Sequence, residues 1–176
     1  MDLEIDILTG PASRALAQPL LDAVWPPASI SGQPWGHLIF AEPDLRVLLE
    51  ADGDLVCHVG IFWRTATWNG HKIRIGGIGS VATREDRRRR GYASIALTAA
   101  IRTFRDERAT DFAMLFCAPE LAPFYQARGW RAFTGEVLAE QRGGTAPLAF
   151  DSLRPHVVDI RRAPREGTID LCGLPW

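Results

Sequence analysis

Four consecutive arginines, Arg87 to Arg90, run into Gly91 and then into a helical pattern that starts near Tyr92. The leading N–H groups of a helix lack intrahelical acceptors and carry the positive end of its dipole, so a helix start suits a bound phosphate. The N–H groups of Arg89 to Ser94 would converge on that anion, with the guanidinium groups of Arg87 to Arg90 above it. Other reactive side chains are sparse. Cys57, Cys117 and Cys172 are widely spaced, odd in number and form no C-x-x-C pair. They support neither a disulfide framework nor a zinc site, and no metal centre is expected.

The arginine cluster has to be positioned by the elements around it. Asp52-Gly53 and Asn69-Gly70 favour primed turns, which predicts strands over Arg46–Glu50, Leu55–Trp68 and His71–Thr83 in two successive hairpins. The third strand holds Gly76, Gly77 and Gly79, a sign of a bulge or of close approach by a ligand. After Gly91, the spacing of Leu97, Ala100, Ile101 and Phe104 predicts an amphipathic helix closed by the polar run Arg105 to Arg108. Phe112 to Cys117 reads as a strand parallel to the one before that helix.

The flanking regions are read in the same way. Leu3 to Leu8 alternates as a half-buried strand does. Thr9-Gly10-Pro11 opens a helix whose apolar face is Leu16, Leu20, Leu21 and Val24, with a kink or late start at Pro19 and an end at Pro26-Pro27. Ser29 to Glu42 reads as a pocket-wall loop. Pro119 to Arg128 reads as a second helical segment stopped by Gly129. Trp130 to Leu138 is expected as one strand, Gln141 to Pro147 as a loop, and Leu153 to Ile160 and Thr168 to Leu171 as closing strands.

With 176 residues, 47% of them hydrophobic and 23% charged, the expectation is one soluble α/β domain over residues 1–176. A net charge of −1, with no aromatics interleaved among the arginines, argues against nucleic acid and anionic membrane as partners. The acidic start MDLEIDILTG and the lack of a long apolar run lead to the expectation of a reduced, cytoplasmic setting.

Arg88-x-x-Gly91-x-Ala93 resembles the pyrophosphate loop of the GCN5-related N-acetyltransferase (GNAT) superfamily, and Phe124-Tyr125 through Gly129-Trp130 is similar to that superfamily's later F-Y-x-x-x-G-F/W segment. The resemblance runs from about Arg46 to Phe133. It implies a mixed, mostly antiparallel, splayed sheet flanked by helices. It also implies acetyl-CoA as co-substrate, held by Val81, Ala82 and Thr83 along the pantetheine arm and by Arg88, Arg89, Arg90, Gly91, Tyr92, Ala93 and Ser94 at the phosphates. Tyr125 matches the family tyrosine that protonates the departing thiolate. Direct transfer to a primary amine of a small molecule also needs a base, and Gly77-Ile78-Gly79-Ser80 offers no carboxylate. Water, His37, His58 or backbone carbonyls are the remaining candidates.

Within the superfamily, Pro34-Trp35-Gly36-His37, Tyr125 to Trp130 and the end at Cys172 and Trp176 look similar to the aminoglycoside 2'-N-acetyltransferase branch. That likeness assigns Trp35, His37, Gly79 and Trp176, with the terminal carboxylate of the last, to the acceptor side, and Cys117, at the end of the second splayed strand, is placed beside the acyl group. The branch's acidic contacts fall on Pro34 and Gly79, which argues against a polycationic substrate. A longer acyl donor, an acyl-cysteine at Cys117, a non-catalytic acyl-CoA-binding module and a homodimer are the other readings.

Overall fold

A computed structural model describes residues 2–106, 109–148 and 152–176. The chain begins with strand β1 (Leu3–Thr9) and helix α1 (Gly10–Val24), which has Pro11 in its first turn. A one-turn helix α2 (Pro27–Ile30) precedes strands β2 (Leu45–Ala51), β3 (Asp54–Trp68) and β4 (His71–Thr83). Both hairpin turns form as their dipeptides require. Asp52 and Gly53 have φ of 53° and 81°, and Asn69 and Gly70 have 47° and 79°. Helix α3 (Tyr92–Asp106) then crosses over to β5 (Phe112–Cys117), which lies parallel to β4. The crossover is followed by helix α4 (Ala122–Gln126) and strands β6 (Arg131–Ala132), β7 (Glu136–Gln141), β8 (Gly144–Pro147), β9 (Arg154–Asp159) and β10 (Thr168–Asp170).

The ten strands make one mixed sheet in the order β6-β9-β5-β4-β3-β10-β7-β8, with β2 also paired to β3 and β1 to β2. The parallel ladder between β4 and β5 runs only from Ile75 opposite Phe112 to Ile78 opposite Leu115. Beyond it, β4 continues beside β3, while Phe116 and Cys117 continue beside β9. The sheet therefore opens between Gly79–Thr83 and Phe116–Cys117. At the mouth of this opening the β3–β4 register slips, so that Ser80 and Val81 together face Val59. Ser80 has φ of 49°, which identifies the slip as a β-bulge.

Helix α3 packs on β2, β3 and β4 through Ala96, Leu97, Ala100 and Phe104. A second core cluster gathers Phe62, Ile75, Met114, Val157, Ile169 and Trp176. The strand glycines serve these two cores. A Cβ on Gly76 would stand 2.5 Å from Phe104 Cε1, and one on Gly77 would enter the Trp176 indole. They make room for the protein's own rings, and the bulge lies after them at Ser80.

Several expectations are corrected by neighbours that the local pattern does not reveal. β1 is largely exposed, with Ile5 and Ile7 at 44% and 42%, because it is an edge strand paired to β2 and little covered by the elements around it. Helix α1 runs through Pro19 without a break. Ala15 and Pro19 are both exposed, so water can take the carbonyl bond that the proline cannot make. Its buried stripe is Ser13, Ala17 and Leu20, which leaves Leu16 outside. The predicted strand Trp130–Leu138 is two strands, separated where Gly135 passes directly against Gly167. The predicted loop Gln141–Pro147 is the turn and second strand of the β7–β8 hairpin. The expected end of α3 at Arg108 lies outside the described residues. Among the described residues, no helix is long and apolar enough to cross a membrane.

Candidate active site

The loop between β4 and α3 is built on two left-handed residues, Arg89 (φ 63°) and Gly91 (φ 86°). The first intrahelical bond of α3 runs from the Ile95 N–H to the Gly91 carbonyl (3.1 Å), so the N–H groups of the preceding turn have no acceptor within the helix. Arg87, Arg88, Arg89, Gly91, Ala93 and Ser94 all face a cleft of about 770 Å³. Arg87 reaches it already paired, at 3.4 Å from Asp54 and 3.6 Å from Asp86. The same two carboxylates hold Arg84, and its hydrogen bond keeps the Asp86 carboxyl below its ordinary range. Arg88 donates through Nε to the Thr83 carbonyl (3.3 Å). Arg90 is exposed and Ala82 is buried in the core, and neither lines this cleft.

Arg128, which the sequence reading passed over inside the Phe124–Trp130 motif, also faces the cleft. Its Nη1 donates to the Phe124 carbonyl (2.6 Å), its Nε donates to Ser94 Oγ (2.9 Å), and its Cζ lies 3.7 Å from the centre of the Phe124 ring. It thereby ties α4 to the first turn of α3 and places a cation in the cleft that the arginine loop faces. The cue in the sequence is an arginine three residues after Tyr125 and just before the capping Gly129, where it can fold back over α4.

Trp25, Val81, Leu121 and Tyr125 line both this cleft and a second one of about 340 Å³, so the two meet at the bulge. The second cleft collects Trp35, Gly79, Cys117 and Trp176 in one place. A Cβ on Gly79 would stand 3.1 Å from the main-chain carbonyl carbon of Trp176. His37 is elsewhere, in a separate cavity with Gln141 and Arg142.

Tyr125 stands where the two clefts join. Its ring is gripped edge-on by Phe124 (5.0 Å) and Trp130 (6.2 Å), and it is 5% exposed. Burial, with Cys117 and Cys57 nearby, pushes its phenol well above the ordinary range. It is therefore a protonated donor at neutral pH. Burial likewise pushes the Cys117 thiol up to about 11, which works against a thiolate nucleophile.

His58 does not act as a base here because both its ring nitrogens are engaged. Arg46 Nη1, which can only donate, lies 3.0 Å from Nε2, so the ring proton is on Nδ1 and is given to the Ser80 carbonyl at 2.7 Å. Arg46 in turn pairs with Glu42 (3.3 Å). A chain from the exposed Glu42 through the buried Arg46 and His58 thus ends on the bulged residue of β4. Burial holds the His58 ring neutral, lowered to about 4. Among the described residues, no group of three His, Cys, Asp or Glu is placed to hold a metal ion.

No curated protein matches the sequence. Among solved structures, a GNAT family acetyltransferase from Brucella melitensis in complex with acetyl-CoA is 15% identical, with 96% of this chain and 94% of that one covered and a TM-score of 0.61. The GNAT family N-acetyltransferase YhbS from Escherichia coli, in complex with CoA, is 14% identical, with 97% and 89% covered and a TM-score of 0.61. Against a GCN5-related N-acetyltransferase from Kribbella flavida the identity is 15% and the TM-score 0.57. That match covers 77% of this chain and spans only 34% of the other. These likenesses show the fold. The acetyltransferase (GNAT) domain model matches residues 33–133, more than half of the chain and the part that holds the bulge, the arginine loop and Tyr125. The chain belongs to the GNAT family of acetyltransferases.

Proposed function

We propose that this protein transfers an acetyl group from acetyl-CoA directly to the primary amine of a small molecule. The observation that carries the reading is the opening of the sheet after Ile78 and Leu115, with the Ser80–Val81 bulge at its mouth and the arginine loop at one end. Acetyl-CoA supplies the activated thioester. Backbone groups of Val81 and Thr83, on the unpaired side of β4, pair with the amides of its arm. The α3 N-terminus from Arg89 to Ser94, with Arg88 and Arg128, takes the phosphates. Tyr125 holds its proton at neutral pH and gives it to the departing sulfur. The raised Cys117 thiol favours direct attack by the amine over an acyl-cysteine. The solved complexes of the Brucella melitensis and Escherichia coli proteins with acetyl-CoA and CoA support the choice of co-substrate.

Likeness to the aminoglycoside 2'-N-acetyltransferase branch supports placing the acceptor beside Trp35 and Trp176, and both line the second cleft. Calorimetry with acetyl-CoA tests the coenzyme half. The wild type is expected to bind, and Gly91→Asp to lose binding, because it sets a carboxylate against the phosphates. A Cβ at Gly91 meets nothing within 4 Å, but its φ of 86° strains any other residue, so Gly91→Ala, expected to keep most of the binding, separates the charge from the strain. Thiol release over a panel of amines tests the transfer. Coenzyme binding with no amine acetylated would instead identify a sensing module.

A further inference from the structure

The second cleft is unusually rich in rings for its size. Trp25, Trp35, Phe40, Phe62, Phe116 and Trp176 line it together with Tyr125, around a volume of about 340 Å³. That is the small end of the range for ligand pockets. The walls are held in fixed orientations. Trp176 stacks on Phe62 (5.8 Å, 21° between planes), lies 6.3 Å from Phe116, and donates through Nε1 to the Met114 carbonyl (3.1 Å). The indole sits in the space left by the missing side chain of Gly77, so it cannot retreat into the sheet. On the chain segment after α2, Trp35 meets Phe40 edge to face at 5.9 Å.

The polarity of the lining points the same way. The side-chain polar groups lining this cleft are the Ser80 and Tyr125 hydroxyls, the Cys117 thiol and the indole N–H groups, and the main-chain end of Trp176 lies beside Gly79 in the same wall. Planar aromatic faces reward a flat, weakly hydrated carrier.

Resting on the acetyl-transfer reading above, we infer that the acceptor is the primary amine of an aromatic compound, its ring held between the rings of the second cleft. The amine nitrogen forms the new bond to the acetyl carbon as the carbon–sulfur bond breaks. The nitrogen gives one proton to solvent, the sulfur receives one from Tyr125, and Tyr125 recovers its own from water, so protons and electrons balance with no further reactant.

Initial rates of thiol release by the full chain, measured after acetyl-CoA binding has been established by calorimetry, test this. Benzylamine and 2-phenylethylamine are expected to exceed butylamine by about tenfold or more in kcat/KM, the order of a ring-stacking contribution. Spermidine and kanamycin should fall lower still. Trp35 is half-buried on an irregular segment, so Trp35→Ala should fold, raise the benzylamine KM about tenfold and leave the acetyl-CoA KM unchanged.

Coenzyme binding accompanied by equal or better turnover of spermidine or kanamycin would overturn the inference while leaving the acetyl-transfer reading intact. So would an unchanged benzylamine KM in Trp35→Ala. Failure to bind acetyl-CoA at all would remove both readings together.

Discussion

Acidification should loosen this protein through His58 in particular. The ring is fully buried, it donates to the Ser80 carbonyl, and its Nε2 faces the Arg46 guanidinium at 3.0 Å. Protonation would put an N–H and a positive charge against that guanidinium, with the exposed Glu42 carboxylate on the far side of Arg46. An imidazole lowered from 6.5 to about 4 in the folded protein is protonated first in the unfolded chain. Stability is therefore fully present above pH 6.5 and declines by up to about 1.4 kcal/mol per pH unit as the pH falls towards 4. The whole contribution is about 3 kcal/mol, a large share of the stability of an ordinary domain.

Urea denaturation at stepped pH, comparing the wild type with His58→Asn, isolates this effect. Asparagine keeps an N–H near the Nδ1 position but does not titrate. Its smaller volume should cost a pH-independent 1–3 kcal/mol, roughly. Asp86 and Asp159, both held below their ordinary range by arginines, also lose stabilisation in acid, but they do so in both proteins and cancel. The stability advantage of the wild type should shrink by about 3 kcal/mol between pH 7 and pH 4. An advantage that stays constant across that window would refute a buried neutral His58, and with it the account of how the bulge is held.

Other outcomes follow from single contacts. Tyr125→Phe keeps the edge-on packing with Phe124 and Trp130, so thermal stability and acetyl-CoA affinity should hold while kcat falls about a hundredfold; unchanged turnover would return Tyr125 to the core. Gly77→Ala drives a methyl into the Trp176 indole. It should cost about 1–3 kcal/mol and raise the acceptor KM with the coenzyme affinity intact, and a rise in the acetyl-CoA Kd instead would count against the division between the two clefts. Arg128→Met retains the stem over Phe124 but removes the bonds to Ser94. The acetyl-CoA Kd should rise about tenfold by titration calorimetry, and an unaltered Kd would make Arg128 a helix tie only.

What could be read from the chain alone was local. Asp52-Gly53 and Asn69-Gly70 announced their turns because few other dipeptides adopt two successive positive φ angles. The buried face of α3 followed from the spacing of Leu97, Ala100 and Phe104, and the arginine loop from Gly91, whose φ of 86° suits glycine. Contacts between distant segments were not legible. His58 and Ser80 are 22 residues apart and Arg46 lies on a third strand, so no window of sequence shows that they form one chain of hydrogen bonds. The same holds for Gly76 and Gly77, whose missing side chains admit Phe104 and Trp176 from 28 and 99 residues away, and for Ile5, Ile7 and Leu16, apolar residues left outside because no neighbour covers them. His37 has the right chemistry and the wrong cavity. Turn and helix preferences act over a few residues and are written in the sequence, whereas the bulge, the opening in the sheet and the ring-lined cleft depend on long-range packing that exists only once the sheet is assembled.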